Sequence, residues 1–217
     1  MQSFGLDPLT FSLVLASLAL IPLLLMITTS FLKIAIVLNL VRNAMGVQQL
    51  PPNMVLYAIC LALTLFVMAP VFHEIHSNLI AIDFGSLDRN DMLATVEHIG
   101  SPLKSFMTKH VSPDVLIVFQ DAAKSLWGKE IATNFGSENL LILIPAFVVS
   151  ELQAGFEIGF LIFLPFLIID LIISNLLLAL GMQMVSPMTI SLPLKILLFV
   201  MVGGWEKLLH ALVISYI

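Results

Sequence analysis

The sequence has few charged residues and a single cysteine. Asp, Glu, Lys and Arg make up 11% of its 217 residues, whereas 59% are hydrophobic. Soluble domains typically carry about 25% charged and 45–50% apolar residues, so much of this chain must face lipid, other subunits or both. Cys60 lies inside an apolar run. A lone cysteine excludes an internal disulfide, and its setting predicts a small packed side chain.

The sequence also lacks basic clusters and the usual catalytic motifs. Its net charge is −5 and it has no run of Lys or Arg, which excludes a nucleic-acid-binding surface. Neither a G-x-S-x-G nucleophile elbow nor a phosphate-binding Gly-rich loop is present. His73 and His76 flank Glu74-Ile75, but a zinc-protease helix needs its histidines four positions apart. We therefore predict no enzyme activity, no catalytic residues, no cofactor and no metal, with His73, His76, His98 and His110 as solvated side chains.

Four apolar zones are each long enough to cross a bilayer or to form a hairpin within it, since a spanning helix needs about 20 apolar residues. They cover Phe11–Leu40, Met54–Phe72, Leu140–Val185 and Met188 to Ile217. No basic residue precedes the first zone, so we expect a retained membrane segment rather than a signal peptide. The sequence predicts an all-α, multi-pass membrane protein.

A polar insert lies between the second and third zones. Residues 73–139 hold nine of the fourteen acidic and five of the nine basic residues. Ser101-Pro102 and Ser112-Pro113 each resemble a helix N-cap followed by proline at the first helical position. We expect a small helical insert, and three regions: apolar segments 1–72, the insert 73–139, and apolar segments 140–217.

Prolines interrupt the last two apolar zones and predict broken helical hairpins there. Pro145, Pro165, Pro187 and Pro193 all lie in apolar sequence. Broken backbone at membrane depth is tolerated where protein or a water-filled cavity satisfies its polar groups. The turn from Gly181 to Pro193 is rich in methionine. From the residues alone, two interpretations of it stay open: a loop facing a pore or another subunit, and an ordinary exposed turn.

Four ionisable residues lie deep in apolar sequence: Lys33, Glu151, Glu157 and Asp170. Charges at membrane depth are costly, and they usually pair, line a cavity or carry function. We hypothesise that Lys33 pairs with Asp170 or Glu151 between packed segments. A proton relay through Asp170 is the alternative.

Two long stretches resemble a known family. They are TSFLKIAIVLNLVRNAMGVQQLPPNMVLYAICLALTLFVMAPV, from Thr29, and IPAFVVSELQAGFEIGFLIFLPFLIIDLIISNLLLALGMQMVSPMTISLPLKILLFVMVGGW, from Ile144. Both resemble the SctR/FliP family of type III secretion export-apparatus proteins, found in injectisomes and flagella. They cover about half of the chain, and the absence of a signal peptide and the compact length favour the injectisome branch.

The resemblance implies a role and partners. The chain is expected to form a homo-oligomeric ring with SctS/FliQ-like and SctT/FliR-like subunits and other export-apparatus components in the bacterial inner membrane. The assembly would pass unfolded secreted proteins, and the insert would be periplasmic. The competing functions are a stand-alone secondary transporter with Asp170 and Glu151 as proton or substrate sites, and a scaffold without pore contact. Transporters often show internal repeats, and none is visible here.

The resemblance also implies a pore gate. In the family, a methionine-rich loop closes the pore when no substrate passes, and the matching residues are Met182, Gln183 and Met184. Flexible thioether side chains pack against varied shapes, so a ring of them would seal the pore and still deform around a polypeptide. Gln183 replaces the central methionine of the family's run of three, which weakens the seal or moves it onto Met182 and Met184.

Overall fold

The computed structural model describes residues 8–47, 51–82, 91–128 and 139–217, and every regular element in these ranges is a helix. The all-α prediction is confirmed over these residues. The helices are α1 Pro8–Thr28, α2 Phe31–Ala44, α3 Asn53–Ile80, α4 Asp91–His110, α5 Pro113–Trp127, α6 Leu140–Ala179, α7 Pro187–Met201 and α8 Gly204–Ile214.

Among the described residues, two helices are long and apolar enough to span a membrane on their own: α3 with 28 residues and α6 with 40. Two bent pairs pass the same test together, Leu18–Thr28 with α2 and α7 with α8, which gives up to four spans. A 40-residue helix is about 60 Å long, roughly twice the hydrocarbon thickness of a bilayer. A plain, upright α6 therefore extends well beyond the lipid at one end or both.

Prolines do not break the apolar zones where the sequence predicted. Pro145 and Pro165 lie inside the continuous helix α6, and Pro193 lies inside α7, so the prediction is wrong for these three. Each proline removes one helical hydrogen bond, but an apolar helix packed against neighbours tolerates that loss. Pro187 is the exception, because it occupies the first turn of α7 after the N-cap Ser186.

The sharp bends lie elsewhere. The axis of Leu18–Thr28, the second half of α1, differs from that of α2 by 68°, and the axes of α7 and α8 differ by 62°. Before the first bend, Thr28 and Thr29 donate their hydroxyls to the carbonyls of Leu24 and Leu25, at 2.7 and 2.5 Å. The second bend contains Gly203, whose φ of +66° favours glycine. These bends, rather than prolines, produce the broken pairs.

One hydrophobic core joins the membrane helices and the insert. Helix α2 lies at its centre, with Ile34, Val37 and Leu38 fully buried, and packs most extensively against α6. Phe106 and Met107 of α4 belong to the same core. Cys60 is also fully buried in it, which confirms the prediction of a packed cysteine. The insert's helices thus rest on the apolar helices and share their core.

The two Ser-Pro pairs of the insert behave differently. Ser112-Pro113 begins α5 as predicted, with an extended Ser112 and proline in the first turn. The prediction for Ser101-Pro102 is wrong, because α4 runs through both residues. Pro102 leaves the carbonyl of His98 without its helical donor. That carbonyl accepts instead from the Ser101 hydroxyl at 2.8 Å and from the Asn78 amide at 3.1 Å.

Candidate functional site

A buried ion pair joins the two central helices. Lys33 of α2 and Glu151 of α6 bring Nζ and Oε1 to 3.5 Å, with side chains only 5% and 2% exposed. Of the two partners hypothesised for Lys33, the structure therefore places Glu151 beside it. Removing one member of such a pair leaves an uncompensated charge, which costs far more than the pair contributes. The pair thus restricts which surfaces of α2 and α6 can meet.

Tyr216 completes this cluster from the far end of the sequence. Its hydroxyl donates to Glu151 Oε2, and the Lys33 ammonium lies 3.5 Å from the centroid of its ring. The Tyr216 carbonyl lies 3.3 Å from Nε2 of His110. A carboxylate that accepts from a phenol and faces an ammonium is compensated in an otherwise apolar core. The cluster therefore ties α2, α4 and α6 to the segment after α8.

Two glycines let α2 and α6 approach closely. A Cβ at Gly159 would lie 2.3 Å from Cδ1 of Leu40, and one at Gly155 would lie 3.3 Å from Ile36. Small residues four positions apart are a common contact motif of membrane helices. Sequence reasoning missed this function, although the run GFEIG from Gly155 carries the signal.

A second ion pair joins α6 to α7. Lys195 Nζ lies 2.5 Å from Asp170 Oδ2 and donates to the carbonyl of Ala44 at 3.1 Å. Ala44 is the last residue of α2, where carbonyls have no helical donor, so the ammonium caps that helix. The Lys195 side chain is 6% exposed and that of Asp170 is 44% exposed. Asp170 thus pairs with Lys195 and not with Lys33.

The predicted gate residues occupy the tight turn between α6 and α7. Gly181, with φ at +72°, lies just after the end of α6. Its N–H donates to the carbonyl of Leu178, and the N–H of Met182 donates to the carbonyl of Leu177. This arrangement is the Schellman motif. Gln183 is exposed, Met182 is 45% exposed and Met184 is 100% exposed. The turn is therefore held by backbone hydrogen bonds while it presents methionine side chains outward.

The remaining ionisable residues singled out in the sequence differ in their surroundings. His73, His76 and His98 are exposed, as predicted. The prediction is wrong for His110, which is partly buried, donates its Nδ1–H to the Phe106 carbonyl at 2.8 Å and lies against the Tyr216 ring. Glu157 is exposed on α6. Within the described ranges, no group of three or more His, Cys, Asp or Glu side chains is arranged to hold a metal ion.

Comparison with known proteins gives consistent matches over nearly the whole chain. The profile of the FliP family matches residues 14–212. A harpin secretion protein, HrcR, from Erwinia amylovora is 54% identical over 213 residues, 97% of each chain. A Yop proteins translocation protein R from Yersinia pestis is 48% identical over 210 residues, again 97% of each chain. A virulence protein, YscR, from Salmonella typhimurium is 42% identical over 214 residues, 97% of each chain.

Proposed function

The chain belongs to the FliP family, and on that basis we propose that it is a core subunit of the export gate of a type III secretion system. Its relatives are secretion and translocation proteins of plant and animal pathogens, which favours the injectisome branch. In this role it binds further copies of itself and the SctS/FliQ-like and SctT/FliR-like subunits. Together they form a portal in the bacterial inner membrane for unfolded secreted proteins.

The observation that carries the proposal is the exposed methionine turn at the end of an apolar hairpin. The Met184 side chain is fully exposed within the described part of the chain. Gly181 supplies the positive φ that the turn requires. Met182 and Met188 are also exposed, and exposed hydrophobic side chains that group together are typical of surfaces that other subunits cover. In a ring, one such turn from each copy would meet near the axis. Thioether side chains there would block ions and yield to an extended polypeptide.

The apolar surface of the single chain supports assembly. Helix α1 exposes Phe11, Leu15, Leu18, Leu20, Ile21, Leu23, Leu24, Leu25 and Met26. The second half of α6 exposes a further apolar row that includes Leu171, Ile172 and Leu176. Helix α6 is too long for a plain span, so part of this surface needs protein rather than lipid around it. Neighbouring subunits provide such cover.

The two ion pairs between helices favour an assembly role over a stand-alone transporter. A proton or substrate site needs a carboxylate that gains and loses its partner. Glu151 is held by Lys33 and Tyr216, and Asp170 is held by Lys195. These contacts fix helices against one another, which suits a rigid gate subunit. We assign no enzymatic step to the chain, and energy for export would come from other components of the machine.

The test is native mass spectrometry of the chain in detergent, alone and co-expressed with its SctS-like and SctT-like neighbours. We expect a discrete multi-copy complex that grows by fixed additions of these neighbours. A monomer or simple dimer that ignores both of them would contradict the proposal and favour the transporter.

A further inference from the structure

His110, the last residue of α4, has a backbone carbonyl opposite each of its ring nitrogens. Nδ1 lies 2.8 Å from the carbonyl oxygen of Phe106, one turn earlier in the same helix, and Nε2 lies 3.3 Å from that of Tyr216. A carbonyl oxygen accepts hydrogen bonds and cannot donate them. A neutral imidazole carries one N–H, whereas an imidazolium carries two. Only the protonated ring therefore satisfies both contacts at once.

The end of α4 favours a positive charge for a second reason. The last carbonyls of a helix lack helical donors, and the helix dipole is negative at this end. Lys109 and His110 both lie in the last turn of α4. Lys109 Nζ donates to the backbone oxygen of Ile217 at 3.2 Å, next to the contact of His110 with Tyr216. Two adjacent basic side chains thus hold two successive residues of the segment after α8.

The charged groups around His110 come from three helices. Glu151 on α6 attracts the imidazolium, whereas Lys33 on α2, which is paired with Glu151, repels it. Lys109 on α4 is a second cation. Helix α3 also packs against α4, but it has no acid, base or histidine before His73. Charges of both signs therefore lie around the ring, and the two carbonyl contacts decide which form of it fits.

We propose that His110 is a proton-dependent clamp between the polar insert and the ion-pair cluster of the apolar helices. In its protonated form the ring donates to the Tyr216 carbonyl and holds that residue against α4. In the neutral form, with Nδ1–H donated to Phe106, the Nε2 lone pair faces the Tyr216 oxygen and the contact is repulsive. Histidine changes charge between about pH 5 and pH 8. Because closure and proton binding favour each other, acidification through this range closes the clamp. This inference concerns a single copy and does not rest on the proposed function.

The clamp acts on the Lys33–Glu151 pair through Tyr216. The Tyr216 ring stacks on Phe106 with centroids 5.9 Å apart, and its hydroxyl donates to Glu151. The backbone contact with His110 therefore helps to set where the phenol lies. Opening the clamp loosens α4 from the cluster, and closing it ties the insert to α2 and α6. Acid conditions thus strengthen the contact between the insert and the apolar helices.

The first test is the free energy of unfolding of the full chain in detergent at about pH 8 and about pH 5.5. The clamp's contribution is present at low pH and is lost as the pH rises, and His110→Gln removes it. We expect the ratio of the unfolding constants of this variant and the wild type to be about tenfold larger at the lower pH, since hydrogen bonds to charged groups are the stronger ones. His98→Gln is the matched control, because His98 is exposed on the same helix, and its ratio should not change with pH.

The ring protons of His110 give a second readout in the wild-type chain, which does not depend on a variant that folds. The chain is labelled with nitrogen-15 histidine and studied by NMR at the same two pH values. Ring N–H protons of exposed histidines exchange quickly with water and give no signal, which applies to His73, His76, His98 and His210. We expect two slowly exchanging ring N–H signals from His110 at the lower pH and only the Nδ1–H signal at the higher pH.

Three results would overturn the clamp. A difference in stability between wild type and His110→Gln that is equal at both pH values, or larger at the higher one, would mean that the ring contributes packing alone. A slowly exchanging Nε2–H signal at the higher pH would mean that a neutral ring holds the Tyr216 carbonyl without a switch. Absence of that signal at the lower pH would mean that the imidazolium does not bond both carbonyls.

Discussion

Lys195 donates a hydrogen bond to the backbone carbonyl of Ala44, a residue 151 positions earlier in the chain, at 3.1 Å. The same ammonium lies 2.5 Å from Asp170. One side chain thus fixes the end of α2, the C-terminal half of α6 and the helix that follows the methionine turn. Because α7 begins immediately after this turn, the position of Lys195 determines how the predicted gate is held against the core.

We expect Lys195→Met to destabilise the protein by about 2 kcal/mol, since hydrogen bonds to charged groups typically contribute about 1.5–3 kcal/mol. The half-exposed Asp170 carboxylate can be hydrated when its partner is removed, which limits the loss. The measurement is the free energy of unfolding in detergent for Lys195→Met, Asp170→Asn and the double variant. Additive effects of the two substitutions would contradict a direct pair.

The Lys33–Glu151 pair should tolerate substitution less well than the Lys195–Asp170 pair, because both of its side chains are almost fully buried. Lys33→Met leaves the Glu151 carboxylate in the core with only the Tyr216 hydroxyl, and we expect a loss of about 3–5 kcal/mol. The double variant Lys33→Met with Glu151→Leu removes both charges and should lose less than the single. Unfolding and complex assembly are measured together. Unchanged stability and assembly in Lys33→Met would show that the pair has no structural role.

Composition and hydropathy predict the class of fold because apolar runs of this length have few alternatives to membrane helices. They did not predict where helices break. Pro145, Pro165 and Pro193 are local signals for a break, but packing around the helices overrides them. The bend lies instead at Gly203, which adopts a positive φ. A rule that assigns helix breaks to prolines does not predict a bend at a glycine.

The candidate site was predicted only in part, for a related reason. The hypothesis about Lys33 named two possible partners because sequence position does not specify which acid faces it. Tyr216 contacts Glu151 across 65 positions, and no local pattern signals a contact of that range. The spacing of Gly155 and Gly159 is different, since a small-xxx-small run is visible in the sequence and predicts a close helix pair.

We expect Gly159→Ala to weaken the contact between α2 and α6. The added Cβ would lie 2.3 Å from Cδ1 and 3.0 Å from Cβ of Leu40, and overpacking of this kind typically costs about 1–3 kcal/mol. Gly100→Ala is the control, because a Cβ there meets nothing within 4 Å and alanine favours a helix. The free energy of unfolding should fall for the first and rise or stay level for the second. Equal effects would mean that the close approach contributes nothing.

The methionine turn is the position where a gate and a scaffold give different results. Met184→Ser should increase ion leak through the assembled complex several-fold, because a small polar side chain leaves a hydrated gap in a ring of thioethers, whereas Gln183→Met should reduce it. Met201→Ser is the matched control, since Met201 is also largely exposed but lies at the end of α7, away from the turn. The measurement is conductance of complexes reconstituted in lipid bilayers, with assembly checked for each variant. If Met184→Ser assembled normally and leaked no more than Met201→Ser, the turn would be a structural loop, and the pore would close through another subunit.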